Sequence, residues 1–188
     1  MAIQIALLRG INVGGKNKIK MAELREALET LGLLRVQTYI QSGNILFESD
    51  EDELTLRGKI EALIESKFGL SIRVIIRTAD ELTEIAANLP FSDEAVKAAE
   101  ASFEGECLYI AMMLDEPNAN KVEKLESYDF KEDRYVIAGR DVYLLFRQSV
   151  RDSKLSVQVD KLNAPVTVRN WNTLTKLIGM SQEMGNAN

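Results

Sequence analysis

Arg9-Gly10-Ile11-Asn12-Val13-Gly14-Gly15-Lys16-Asn17 is the stretch whose residue types and spacing most suggest chemistry. Gly10, four further residues and then Gly15-Lys16 nearly spell a phosphate-binding loop. In such loops, glycines let successive backbone N–H groups turn inward on a phosphate, and a lysine meets its outer oxygens. Position 17 is Asn, so the hydroxyl that would hold Mg²⁺ is missing, and nucleoside-triphosphate hydrolysis is not expected. Lys16, Lys18 and Lys20 leave a weaker anion-binding role open. The competing reading is a glycine-rich turn between a strand and a helix.

Two further polar clusters stand out. Tyr39-Ile40-Gln41-Ser42-Gly43-Asn44 surrounds a predicted hairpin turn, and Gln41, Ser42 and Asn44 could bond a ligand or simply form the turn. Arg169-Asn170-Trp171-Asn172-Thr173 precedes the last predicted helix and holds the only tryptophan. A flat aromatic beside Arg and amides at a helix start could hold an anionic or nucleobase-like ligand. Equally, Asn170 or Asn172 could be the helix N-cap and Trp171 a core residue. Arg151, Ser153 and Lys154 form a similar, weaker cluster before their own helix.

The chain has no histidine, which removes Ser-His and Cys-His nucleophilic catalysis and every His-ligated metal site. An enzyme built from it must use Lys, Tyr, carboxylates, backbone amides or a cofactor's chemistry. Cys107, the only cysteine, opens a predicted core strand and reads as a small buried hydrophobe. Asp50, Glu51, Asp52 and Glu53 suit the positive end of a helix dipole without any acid–base role. No spacing suggests a metal site.

The elements that must position these residues follow from periodicity. Ile3, Ile5 and Leu7 predict a strand with one buried face. Met21, Leu24, Leu28 and Leu31 mark a helix closed by Gly32; Val36–Ile40 and Asn44–Phe47 read as strands either side of Ser42-Gly43. Leu56, Ile60, Leu63, Ile64 and Phe68 mark a second helix, and Ile72, Val74 and Ile76 a further strand. The order β-α-β-β-α-β is that of ferredoxin-like folds. Thr78 and Glu81 have capping-box spacing before a helix stopped by Pro90, and 91–106 reads as a connector with a short helix. The pattern then restarts: strand Cys107–Leu114, a helix opened by Pro117, a hairpin across Gly139, a helix through Leu155, Val159 and Leu162, and strand Val166–Val168. The expected architecture is α+β: two ferredoxin-like βαββαβ units packed together, residues 1–78 and 107–188, joined by a helical connector, 79–106, with a terminal helix on the second unit. The halves share an element order, with no residue-level repeat evident between them.

Composition bounds the function classes. The net charge of −6 argues against general nucleic-acid binding. It is uneven: residues 1–40 carry +3, residues 47–104 carry −8 and residues 150–180 carry +3. No apolar stretch approaches the roughly 20 residues that span a bilayer. The N-terminal run lacks a basic leader, and a lone cysteine suits a reducing compartment, so no membrane role and a cytoplasmic location are expected.

Leu7–Met21 (LLRGINVGGKNKIKM), Thr38–Phe47 (TYIQSGNILF), Ser153–Leu155 and Thr167–Leu177 (TVRNWNTLTKL) resemble the bacterial domain-of-unknown-function family 1697. The resemblance runs nearly end to end. It implies an intracellular α+β protein with ferredoxin-like halves, and it implies no activity, because the family has none established. Its hallmark stretches contain Arg9, Asn12, Gly14, Gly15, Lys16, Gln41, Ser42, Asn44, Lys154, Arg169, Asn170, Trp171 and Asn172, the candidate ligand-binding residues. The expected function is binding of a small anionic or nucleotide-like ligand between the two units. The alternatives are a histidine-free enzyme using Lys16 or Tyr39, with the glycine loop stabilising charge, and a scaffold whose polar motifs only fasten the fold. Catalytic residues, cofactor and oligomeric state stay open.

Overall fold

In the computed structural model, which describes residues 1–163 and 165–187, the apolar run Ala2–Leu8 forms strand β1. It is buried from Gln4 to Leu8 on both faces, not on one as alternation suggested. The reason is in its sequence: Ile5, Ala6, Leu7 and Leu8 are consecutive apolar residues, the signature of a strand covered on each side. Helix α1 (Met21–Glu29) and strands β2 (Leu34–Tyr39) and β3 (Asn44–Ser49) follow. Helix α2 (Glu53–Phe68) starts on Asp52, whose side chain accepts from the Thr55 N–H, and ends on Gly69 in the left-handed conformation. Strand β4 (Val74–Thr78) completes an antiparallel sheet of order β2-β3-β1-β4.

Thr78 and Glu81 form the expected capping box. The Thr78 N–H donates to Glu81 Oε2 at 2.7 Å and the Glu81 N–H to Thr78 Oγ1 at 3.1 Å, which opens helix α3 (Ala79–Ala87). Helix α4 (Asp93–Glu100), capped by Ser92, is the short connector helix. Then come strand β5 (Leu108–Met113), helix α5 (Ala119–Glu126), strands β6 (Arg134–Ala138) and β7 (Asp141–Leu145), helix α6 (Lys154–Val159), strand β8 (Val166–Asn170) and helix α7 (Trp171–Asn186). Pro117 does not open α5. Asn118 caps it, accepting from the Lys121 N–H, and the proline stands one residue outside. The second sheet, β6-β7-β5-β8, has the order of the first. The fold is thus mixed α+β with two ferredoxin-like antiparallel sheets, flanking helices and a C-terminal helix.

The chain divides into two compact units, Met1–Ile85 with Thr175 to the C-terminus, and Ala86–Leu174. In the first, Ala6, Leu8, Ile45, Phe47 and Ile76 of the sheet pack on Leu24, Leu28, Leu56, Ile60 and Ile64 of α1 and α2. In the second, Ala111, Met113, Val142 and Leu144 pack with Leu125, Leu155 and Val159 of α5 and α6.

Strand register exposes a residue-level repeat that the linear sequence hides. Ile5 pairs with Arg77 and Ala6 with Ile76; Ile110 pairs with Arg169 and Ala111 with Val168. Val74-Ile75-Ile76-Arg77-Thr78 therefore corresponds to Val166-Thr167-Val168-Arg169-Asn170. Each arginine is buried and donates from Nη1 to the carbonyl of the residue before it, Ile76 or Val168, at 3.0 Å. Each following residue caps the next helix: Thr78 for α3, and Asn170, which accepts from the Thr173 N–H at 2.8 Å, for α7. The repeat escapes a linear reading because it is confined to strand faces and one cap.

Candidate functional site

The loop between β1 and α1 is a miniature hairpin. The Asn12 N–H donates to the Asn17 carbonyl at 3.1 Å and the Lys16 N–H to the Val13 carbonyl at 3.0 Å. Gly14 (φ +59°) and Gly15 (φ +77°) are the two central residues of this tight turn. Positive φ at both positions is what a type I′ turn requires, and glycine adopts it at little cost. The glycines therefore turn a hairpin instead of lining a phosphate nest, and the Asn12 and Lys16 amides are engaged within it. Asn17 Nδ2 closes the base by donating to the Gly10 carbonyl at 3.0 Å.

Asn12 fastens this hairpin to its surroundings. Its Nδ2 donates to the Ile19 carbonyl at 3.0 Å and the Gln41 carbonyl at 2.8 Å, while its Oδ1 accepts from the Ile19 N–H at 2.9 Å. The β2–β3 turn is drawn in from the other side: the Leu8 N–H donates to the Gly43 carbonyl at 2.8 Å. A Cβ on Gly43 would lie 2.7 Å from Leu8 Cβ and 2.8 Å from Ile11 Cδ1, so only glycine lets the turn approach this closely. Asn44, fully buried, donates to the Tyr39 carbonyl and to Ser42 Oγ and holds the turn's shape. Arg9 is half-buried and its N–H bonds the Arg73 carbonyl at 3.0 Å. The end of β1 and the start of β3 thus meet, as the split βαβ order requires.

Between hairpin and turn lies a cleft of about 600 Å³ within the first unit. Asn12, Gly15 and Gln41 line it, together with Lys18, Lys20 and Glu23. Ile19 and Phe68 supply apolar surface. Lys20 is the N-cap position of α1 and gives that helix no side-chain cap. Its ammonium pairs with Glu23 at 3.1 Å, but both side chains are largely exposed, so water weakens the pair. Lys16 and Lys18 form no ion pair among the described residues.

In the second unit the motif residues take different parts. Arg169 is buried, bonding Thr167 Oγ1 at 2.8 Å as well as the Val168 carbonyl. Burial pulls its guanidinium down to about 10, still charged at neutral pH. Asn170 caps α7. Trp171 is half-buried against Tyr143, ring centroids 6.4 Å apart, and Asn172 Nδ2 donates to Glu106 Oε1 at 2.6 Å. Trp171 and Asn172 do border a cleft, of about 310 Å³. Its charged lining is Asp93, Glu100, Glu106 and a single lysine, Lys97, which repels an anion. Cys107 lines it too, and burial pushes its thiol up, with Glu100 and Glu106 adding to the shift, so it is a poor nucleophile. Lys154 is exposed at the start of α6. Its neighbour Ser153 is buried, donating to Asp133 Oδ2 at 2.6 Å while capping the helix.

The structure therefore brings Asn12, Gly15 and Gln41 to one cleft of the first unit, and Trp171 and Asn172 to another in the second. Sequence reasoning missed Phe68, read only as one of the apolar positions that mark the second helix, and Glu23, which carried no signal of its own. The repeated buried Arg77 was missed too; an arginine in an otherwise apolar strand was the available signal. Among the described residues, no group of carboxylates and cysteine is placed to hold a metal ion, and no helix is long and apolar enough to cross a membrane.

No curated protein matches this chain. Among solved structures, the conserved bacterial protein SP0830 from Streptococcus pneumoniae is similar, with 28% identity, 96% of this chain and 98% of that one covered, and a TM-score of 0.71. The hallmark stretches at Leu7–Met21 and Thr38–Phe47 fall within the matched part of the family model, while those after Val150 lie beyond it. That model, described as a protein of unknown function (DUF1697), matches residues 1–143, and the chain belongs to this family.

Proposed function

We propose that the protein is a binding module for a small anionic ligand, held in the first-unit cleft between the Val13–Lys16 hairpin and the β2–β3 turn. The observation that carries this reading is convergence: the loop leading into α1, the β2–β3 turn at Gln41 and the end of α2 at Phe68 border one concavity. Its volume of about 600 Å³ falls in the roughly 300–1,000 Å³ range of small-molecule sites. Lys18 and Lys20 supply positive charge, and the start of α1 has no side-chain cap over its first N–H groups, a favourable end for an anion. Ile19 and Phe68 offer apolar surface to the remainder of the ligand. Asn12, Ser42 and Asn44 shape this site as clamps. Arg169 and Asn170 are engaged in their own strand and helix cap. Lys16 and Tyr39, on which a proton-transfer reading would rest, are not among the residues lining the cleft.

The test is a thermal-shift series with inorganic phosphate, nucleoside phosphates and small dicarboxylates, each against sodium chloride at equal ionic strength. A phosphate- or carboxylate-bearing compound should stabilise the protein saturably. The Lys18→Ala/Lys20→Ala variant should keep the ligand-free melting temperature and lose that stabilisation, each charge-assisted contact contributing about 1.5–3 kcal/mol. Equal stabilisation of variant and parent would sink the proposal.

A further inference from the structure

We infer that the second unit carries a phosphate site of its own, formed by Lys121 and Lys124 on α5 with Gln158 at the end of α6 and Lys161 just beyond it. These side chains enclose a cavity of about 160 Å³ whose apolar lining is Leu125 and Leu162, both buried. Among the described residues no carboxylate lines it. Among the described residues none of the three lysines makes an ion pair, in a chain whose net charge is −6. Acidic residues outnumber basic ones, so three unneutralised ammonium groups around one cavity are the opposite of what chance surface placement gives. Like charges so grouped repel, and a bound anion turns that repulsion into attraction.

The site also repeats an arrangement. In the first unit the cleft lies where the start of α1, at Glu23, shares a recess with the end of α2, at Phe68. In the second, the start of α5, at Lys121, shares one with the end of α6, at Gln158. The same place in the βαββαβ order is hollow in both units. The second hollow lacks the long β1–α1 loop that enlarges the first. At about 160 Å³ it is below the size of sites that enclose whole drug-sized ligands. It suits one tetrahedral anion. Lysines bind phosphate as mobile point charges, and the Gln158 amide adds a neutral donor. The ligand class is the phosphate group of a small phosphorylated molecule, the rest of which stays outside the cavity.

The experiment is an amide-resolved NMR titration of the full chain with inorganic phosphate, against sodium chloride at matched ionic strength. Saturable shifts are expected at Lys121, Lys124 and Lys161. In Lys121→Gln/Lys161→Gln the apparent affinity should fall by about tenfold or more, the range for losing a charge-assisted contact. Its phosphate-free melting temperature should be unchanged or higher, because repulsion is relieved. Lys124→Gln alone is the second variant and should weaken binding in the same direction. Shifts absent, shifts matched by chloride, or shifts that survive the double variant would overturn the inference. The amides of Gly15 and Lys18 report the first-unit cleft in the same spectrum, so each site can fail without the other.

Discussion

Aligned by strand register, the two sheets agree where they are buried and part company where their strands turn. The paired strands β1/β4 and β5/β8 place an arginine at the same position and a helix cap immediately after it. The loop after β1, by contrast, runs from Arg9 to Lys20 and carries its own hairpin, whereas β5 reaches α5 through Leu114–Asn118 alone. The turn from β2 to β3 uses Ile40–Gly43, and that from β6 to β7 only Gly139 and Arg140. One order of elements thus supports a large cleft in one unit and a small lysine-lined one in the other. The sheet is fixed by packing that tolerates little change, and loops are where a repeated scaffold acquires distinct surfaces.

The sharpest test of that contrast compares the two turns. Gly43→Ala forces a Cβ against Leu8 and Ile11 at φ +78° and should cost about 2–4 kcal/mol in urea unfolding, from overpacking and left-handed strain together. Gly139→Ala, at φ +59° with only Glu116 Oε1 nearby at 3.6 Å, should cost about 1–2 kcal/mol, the strain alone. Equal costs would mean that the close approach of turn and loop is not what distinguishes the first unit.

Asn12→Ala should come next. It removes two donated bonds and one accepted bond, leaving the buried Ile19 N–H without its acceptor, at about 1–3 kcal/mol. Hydrogen exchange should speed up at Ile19 and leave the amides of β5 unchanged. Acceleration across both sheets would instead make Asn12 a determinant of global stability, not a loop clamp.

The smallest effect is acidic. Hydrogen bonds from the Thr55 N–H and hydroxyl hold the exposed Asp52 carboxyl below its ordinary value of 3.8. A depressed folded-state value means the cap's contribution is present above about pH 3.8 and lost as pH falls through the lower folded value. The start of α2 should therefore fray in that acid window, while α5, capped by Asn118, should show no such step at its own first turn. Asp52→Asn, which cannot titrate there, should abolish the step in amide shifts; its persistence would assign it to another carboxylate.

Much of this was legible in the chain itself. Helical spacing at Leu24 and Leu28, the capping box at Thr78 and Glu81, and the glycine at position 69 each name a local structure, because caps and periodicity act between residues a few positions apart. The function of Asn12 was not legible. Nothing local says that its amide will span from Ile19 to Gln41, and an asparagine in a glycine-rich stretch reads equally as ligand donor or clamp. Arg169 was misleading for a related reason: followed by Asn170, Trp171 and Asn172 it reads as part of a polar motif, yet strand alternation turns it inward.

By itself, the sequence determined the element order, the strand-to-helix punctuation and the absence of histidine chemistry, since these follow from residue identity and short-range spacing. Only the tertiary structure decided which polar residues are clamps and which border open clefts. It also paired Arg77 with Arg169 as equivalents, and gathered two lysines of α5 and one just beyond α6 around one cavity. Those outcomes depend on strand register, where a shift of one residue turns a side chain to the opposite face, and on helix packing, where it turns one by about 100°.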